Sequence, residues 1–154
     1  MKAWQHTIIS GGGSGLGLGL AERLLSRGGN VTILDLSLGD EARQKLQQAA
    51  ASAGGEWRMA KTDLAEESQV NQAVDQAVSH FGTPDLCINS AGILINRTLA
   101  ETSSDDFNKV LRVNVTGSFN FARATLRYLQ PGGRLAMIAS IAGLVSNYGY
   151  SAYG

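Results

Sequence analysis

Ser10–Gly19 reads SGGGSGLGLG, six glycines and two serines in ten residues. Its composition fits either a flexible linker or a loop that holds a phosphate, and the flanks decide. A β-leaning run, Trp4–Ser10, leads into it. Directly after it Leu16, Leu20 and Leu24, with Ala21 and Leu25 beside them, recur at helical spacing. A strand, a glycine turn and a helix start in that order make an anion site. The helix N-terminus carries unpaired N–H groups and partial positive charge. Glycines let a pyrophosphate reach the backbone with no Cβ in the way. The strict G-x-G-x-x-G spacing is absent. G-x-x-x-G-x-G fits at Gly11, Gly15 and Gly17, and also at Gly13, Gly17 and Gly19. The first register is preferred, because Gly11 follows the strand at once.

Working outward, strands and helices alternate. Gly28-Gly29 stops the first helix, and Asn30–Leu36 reads as a buried strand. Asp40 is the expected N-cap of a helix through Ala53 that turns Ala42, Leu46, Ala49 and Ala53 inward. Glu56–Thr62 is a third strand. Glu66–Phe81 is a helix burying Val70, Ala73, Val74, Ala77 and Phe81. Asp85–Asn89 is a fourth strand, Ser103–Leu129 one long helix, and Arg134–Ala139 a fifth strand. The strands are apolar throughout rather than alternating, as a sheet covered on both faces requires. Strands joined by helices run parallel with right-handed crossovers. The expected fold is a doubly wound, Rossmann-like α/β sheet with five parallel strands present and the sheet incomplete in this chain, in one dinucleotide-binding domain over 1–154.

Composition narrows the function classes. The chain has 154 residues, 44% hydrophobic and 17% charged, with a formal net charge of zero. That balance argues against nucleic acid and anionic membrane partners. The single cysteine, Cys87, excludes an intrachain disulfide and a thiolate metal cluster. It lies inside the fourth strand and is expected to be buried and inert; no metal site is expected. No apolar run approaches a membrane span, and the N-terminal one is too short for a signal peptide. A cytoplasmic location is the default. His6 and His80 have no partner pattern and read as structural or surface residues.

Asp35 sharpens the glycine loop. It ends the second strand eighteen residues after Gly17, where a carboxylate reaches the adenosine ribose of a dinucleotide. It would accept hydrogen bonds from the ribose hydroxyls and repel a 2′-phosphate. No Arg or Lys lies at positions 12–14 or 36–38, so NAD is favoured over NADP. The alternative is a loop residue that starts the next helix. Gly11, Asp35, Asp63, Asn89 and Ser140 all fall at the carboxyl ends of strands, where open α/β sheets bind ligands. In the long helix, Phe107, Leu111, Asn114, Ser118, Ala122, Leu126 and Leu129 follow helical spacing, which places Asn114 on the expected inward stripe. A buried amide there must be hydrogen-bonded.

Taken in order, these segments resemble the short-chain dehydrogenase/reductase family along the whole chain. SGGGSGLG resembles the family's T-G-x-x-x-G-x-G cofactor loop, with Ser10 for the usual Thr. The resemblance implies cofactor contacts at Gly11, Ser14, Gly15, Leu16 and Gly17. Asp63-Leu64 resembles the pair that contacts adenine. Asn89-Ser90-Ala91-Gly92 resembles N-N-A-G, with Ser90 for the second Asn, and implies cofactor roles for Asn89, Ala91 and Gly92. Asn114 in RVNVTGSF, Ser140 in IASIAG and Tyr153, thirteen residues after Ser140, resemble the catalytic Asn, Ser and Tyr.

The resemblance implies hydride transfer between NAD(H) and an alcohol or ketone. Tyr153 would give or take the proton, Ser140 would hold the substrate oxygen, and Asn114 would hold a catalytic water. A free phenol titrates near 10, so a base role near neutral pH needs help from a cation. The family uses a lysine four residues after the tyrosine, which here falls at position 157, past the last residue, Gly154. The expectation is therefore the first part of a polypeptide of about 250 residues, with these 154 residues inactive alone. The other reading is a catalytically incomplete fragment or a non-catalytic NAD-binding module. The substrate stretch Ile141–Val145 is small and apolar and suggests a partly apolar small molecule. A homo-oligomer, dimer or tetramer, is implied by the resemblance.

Overall fold

The structure, a computed structural model, describes residues 4–145 and 147–154. Five strands, β1 (His6–Ser10), β2 (Asn30–Asp35), β3 (Trp57–Lys61), β4 (Leu86–Asn89) and β5 (Arg134–Met137), form one parallel sheet in the order β3-β2-β1-β4-β5. The chain starts in the middle of the sheet, builds outward through β2 and β3, then returns to the other side of β1. That reversal between β1 and β4 opens a crevice beyond their carboxyl ends.

Side chains alternate along β1 and feed two cores. Ile9 joins Val31, Ile33, Ala21, Leu25 and Leu46 under the helices α1 (Gly15–Leu25) and α2 (Asp40–Ala53). Ile8 joins Leu34, Cys87, Val70, Val74 and Phe121 under α3 (Glu67–Phe81) and α5 (Ser118–Leu126). His6 lies on the second side, fully buried; its Nδ1 lies 2.8 Å from Gly82 O and its Nε2 3.1 Å from Thr32 Oγ1. Burial pushes its pKa below the ordinary value, against the opposing pull of the Gly82 carbonyl. Cys87 is buried too, and burial pushes its thiol up to about 12, as expected of an inert residue.

Several local expectations change. The N-cap of α2 is Gly39, with Asp40 and Glu41 in the first turn, where they complement the helix dipole. Ala50 is buried beside Ala42 and Leu46, Ala49 packs half-buried against the same core, and Ala53 is exposed. The long helix is α4 (Ser104–Leu111), a π-helical segment Arg112–Gly117, and α5, with Ser103 as N-cap accepting from Asp106 N–H at 3.0 Å. Its buried line is Val110, Gly117, Phe121 and Ala124, while Phe107, Leu111 and Leu126 of the expected stripe are exposed. The helix is apolar on two faces, so periodicity alone does not choose between them. Contact does: a Cβ at Gly117 would lie 2.9 Å from Leu64 Cβ, so the small residues face inward. Cover on both sheet faces holds for β1, β2 and β4. β3 is half-buried at one edge, and β5 is mostly exposed at the other.

Candidate active site

The carboxyl ends of β1, β2 and β4 open onto a cavity of about 880 Å³. Gly11 turns the chain out of β1 with φ 69°. A Cβ there would lie 2.6 Å from Ala91 N and Cα, so the loops after β1 and β4 touch backbone to backbone. A Cβ at Gly17 would collide with Gly11 O, which lets α1 start directly under the turn. Gly19 faces open space, so the alternative register makes no steric demand at its last position. Ser14, the N-cap of α1, makes no side-chain cap bond, and Ser14, Gly15 and Leu16 line the cavity. Gly17 does not line it; its place is behind the turn.

Asp35 reaches the same cavity from the end of β2. Its Oδ2 accepts from Gly13 N–H at 2.8 Å and its Oδ1 from Leu36 N–H at 2.7 Å. The carboxylate is thereby anchored on the glycine loop. A Cβ at Gly13 would sit 2.8 Å from that Oδ2. Asp63 and Leu64 supply the next wall. Asp63 Oδ1 accepts from Ala65 N–H at 2.9 Å, and Leu64 O accepts from Asn120 Nδ2 at 2.9 Å. Ala91 and Gly92 complete the wall on the β4 side.

The amides of Asn89 and Asn114 are committed to the protein. Asn89 is buried behind the cavity, accepting from Ser10 Oγ and donating to Ser118 Oγ at 2.7 Å. Asn114 lies in the π segment, where its Oδ1 accepts from Ile93 N–H at 2.8 Å and its Nδ2 donates to Ile93 O at 2.9 Å. It clamps the loop after β4, and Ile93 is part of the cavity wall.

Ser140 and Tyr153 form a second cluster at the exit of β5. Ser140 caps the short helix Ile141–Gly143, its Oγ accepting from Ala142 N–H at 3.2 Å. Tyr153 is half-buried in a turn; its N–H donates to Tyr150 O at 3.0 Å, and the two rings meet edge to face at 5.8 Å. Ala142 O lies 3.1 Å from where a Cβ at Gly154 would sit, so the two turns adjoin. No hydrogen bond joins Ser140 to Tyr153 among the described residues. Neither lines the cavity, whereas Ile138, at the end of β5, does. The structure thus gathers the cofactor candidates other than Gly17 and Asn89 around one cavity.

Sequence reasoning missed the contribution of α4. Asn108 and Lys109, with Arg112 and Val113 of the π segment, reach the cavity. Arg112 pairs with Glu66 at 2.7 Å. The one sequence signal is a polar edge at helical spacing, which does not say what that edge faces. Among the described residues no group of His, Cys, Asp or Glu is placed to hold a metal ion, and no helix is long and apolar enough to cross a membrane.

Comparison with known proteins places this geometry. The family model described as short chain dehydrogenase matches residues 5–154. The 2-(R)-hydroxypropyl-CoM dehydrogenase of Xanthobacter autotrophicus is 39% identical over 151 residues, 95% of this chain and 60% of that protein. The 3beta-hydroxysteroid dehydrogenase 2 of Eggerthella lenta is 33% identical, with 98% of this chain and 59% of that protein covered. Among solved structures, a short-chain dehydrogenase/reductase from Serratia marcescens superposes with a TM-score of 0.87 at 32% identity, covering 97% of this chain and 61% of that one. An NAD+-bound xylitol dehydrogenase gives 0.87 at 33% identity, covering 97% and 58%. The chain therefore spans about half to three fifths of its relatives' length.

Proposed function

The chain belongs to the short-chain dehydrogenase family, and from that premise we propose that it supplies the NAD-binding part of an enzyme moving hydride between NAD(H) and a small alcohol or ketone. The observation that carries this reading is Asp35, anchored by Gly13 N–H at the rim of the glycine-loop cavity. The residues fit a dinucleotide: backbone meets backbone at Gly11 and Ala91, so the cradle holds no side chain there.

The bound nicotinamide supplies the hydride acceptor or donor. Ser14, Gly15 and Leu16 hold the pyrophosphate on the first N–H groups of α1. Asp35 accepts from the ribose hydroxyls and repels a 2′-phosphate, which favours NAD over NADP. Asp63 and Leu64 flank the adenine. Gly11, Ala91 and Gly92 leave room at the cavity floor, and Gly17 and Asn89 support that floor from behind. Ser140 holds the substrate oxygen and Tyr153 passes its proton. Asn114 fixes Ile93 through its side chain. The exposed residues Ile141, Leu144 and Val145 suit a partly apolar substrate. The exposed row Phe107, Leu111, Val115 and Phe119 on the long helix supports a homo-oligomer, and a cytoplasmic setting fits the reduced Cys87.

Titration of the chain with NADH and NADPH, read by nicotinamide fluorescence, tests the proposal. Tighter binding of NADH by about tenfold or more is expected from one charge-assisted contact. No binding of either would overturn it. In an active form of the protein, Tyr153→Phe is expected to abolish turnover with NAD affinity nearly unchanged; retained turnover would remove Tyr153 from the mechanism.

A further inference from the structure

A directed chain of hydrogen bonds runs behind the cavity wall. Ser10 Oγ donates to Asn89 Oδ1. Asn89 Nδ2 donates to Ser118 Oγ at 2.7 Å, and Ser118 Oγ donates to Asn114 O at 2.5 Å. Asn114 then exchanges two bonds with the Ile93 backbone. A serine hydroxyl has one proton. Ser118 commits it to Asn114 O, so toward Asn89 it acts as acceptor. That orients the Asn89 amide with its oxygen toward Ser10. The chain joins the end of β1, the end of β4, the π segment and the loop after β4. Both of its ends adjoin the cavity, Ser10 through Gly11 and Ile93 directly.

Ser118 is the residue on which the chain turns. It stands where the π segment passes into α5, and its backbone N–H bonds Val115 O. Asn114 O takes the side-chain hydroxyl instead. Thr125 offers an internal contrast in the same helix. Its Oγ1 also bonds the carbonyl four residues back, Phe121 O at 2.8 Å, and it is fully buried. That bond leads no further toward the cavity.

We propose that Ser118 is a positioning residue: its hydroxyl holds Asn89 and Asn114 in register, and through Asn114 it fixes the Ile93 wall of the cavity. The proposal rests on the preceding section only in taking that cavity as the dinucleotide site.

The test is amide hydrogen exchange at Ile93 N–H, measured by NMR on the 154-residue chain, alongside NADH titration. Ser118→Ala is expected to speed Ile93 exchange about tenfold or more and to weaken NADH binding several-fold. Ser118→Thr, which keeps the hydroxyl, is expected to restore parent-like protection. Thr125→Ala is expected to lower the melting temperature yet leave Ile93 protection as in the parent. Parent-like exchange at Ile93 in Ser118→Ala overturns the proposal. Equal acceleration in Thr125→Ala overturns it as well, because the effect is then general destabilisation. Should Ser118→Ala not fold, the near-isosteric and weakly bonding Ser118→Cys carries the same test, with intermediate acceleration expected and parent-like protection decisive against it. Acceleration by Ser118→Ala in a chain that binds no NADH would uphold the positioning role and remove the dinucleotide reading.

Discussion

The two sides of the sheet are built differently. Every residue of β1 is buried, and β2 is buried over its four central residues. β5 pairs with β4 on one side, and Arg134, Ala136 and Met137 are exposed. The glycine loop and Asp35 grow from the first region, Ser140 and Tyr153 from the second. Around β1, close backbone contacts between loops dictate where each cavity residue stands. At the exit of β5, two short turns lean on each other with few buried contacts to hold them. A site inherits its precision from the elements beneath it. The dinucleotide side here has that support to a much greater degree than the serine and tyrosine.

The largest expected effect sets the two regions directly against each other. Ile9 is fully buried in the α1/α2 core, so Ile9→Ala should cost about 2–5 kcal/mol by urea unfolding. Met137→Ala on β5 should cost about 0.5 kcal/mol or less. Equal losses would break the contrast. Next, Asp35→Ala should narrow the NADH/NADPH preference by about tenfold. An unchanged ratio in paired titrations would place ribose selection elsewhere.

A third test uses pH. His6 is held neutral by burial between β1, β2 and Gly82, and its folded pKa lies below its ordinary 6.5. Below pH 6.5 the unfolded chain therefore binds the proton more readily than the folded one. Stability should fall as pH drops past that value and level off once the pH is below the folded pKa. Urea midpoints at pH 7 and pH 5 should show a steeper loss for the parent than for His6→Gln; equal slopes would clear His6 of the effect. The smallest change is expected at Thr7, whose buried hydroxyl has no hydrogen-bond partner among the described residues. Thr7→Val removes a desolvated polar group and should be neutral or stabilising, by about 1 kcal/mol at most, in the same unfolding assay. A clear loss would mean that the hydroxyl is satisfied in solution.

Much of this was legible in the chain. The preference for a turn at Gly11 follows from a strand ending at Ser10; Gly11 and Gly15 both have positive φ, and Gly17, where a Cβ would collide with Gly11 O, is common to both spacings. Asp35 ends β2 as its position in the pattern requires. The five strands were found with boundaries shifted by one or two residues. The inward face of the long helix was not legible, because Phe107, Leu111 and Leu126 are as apolar as the residues that face the sheet. Nor was the fate of the two asparagines. A sequence shows an amide but not whether it faces a ligand or a neighbouring backbone.

Local pattern was enough to set the order of elements, the turn that brings N–H groups to the mouth of the sheet, and the carboxylate beside it. Each of those rests on residues close together in the chain: a strand's exit, a glycine spacing, a helix start. Tertiary structure alone decided that Asn89 meets Ser10 across 79 positions and that Asn114 clamps Ile93 across 21. It also decided that α4 reaches the cavity. Those outcomes depend on how helices seat against the sheet, where close contact chooses between faces that local pattern leaves equal.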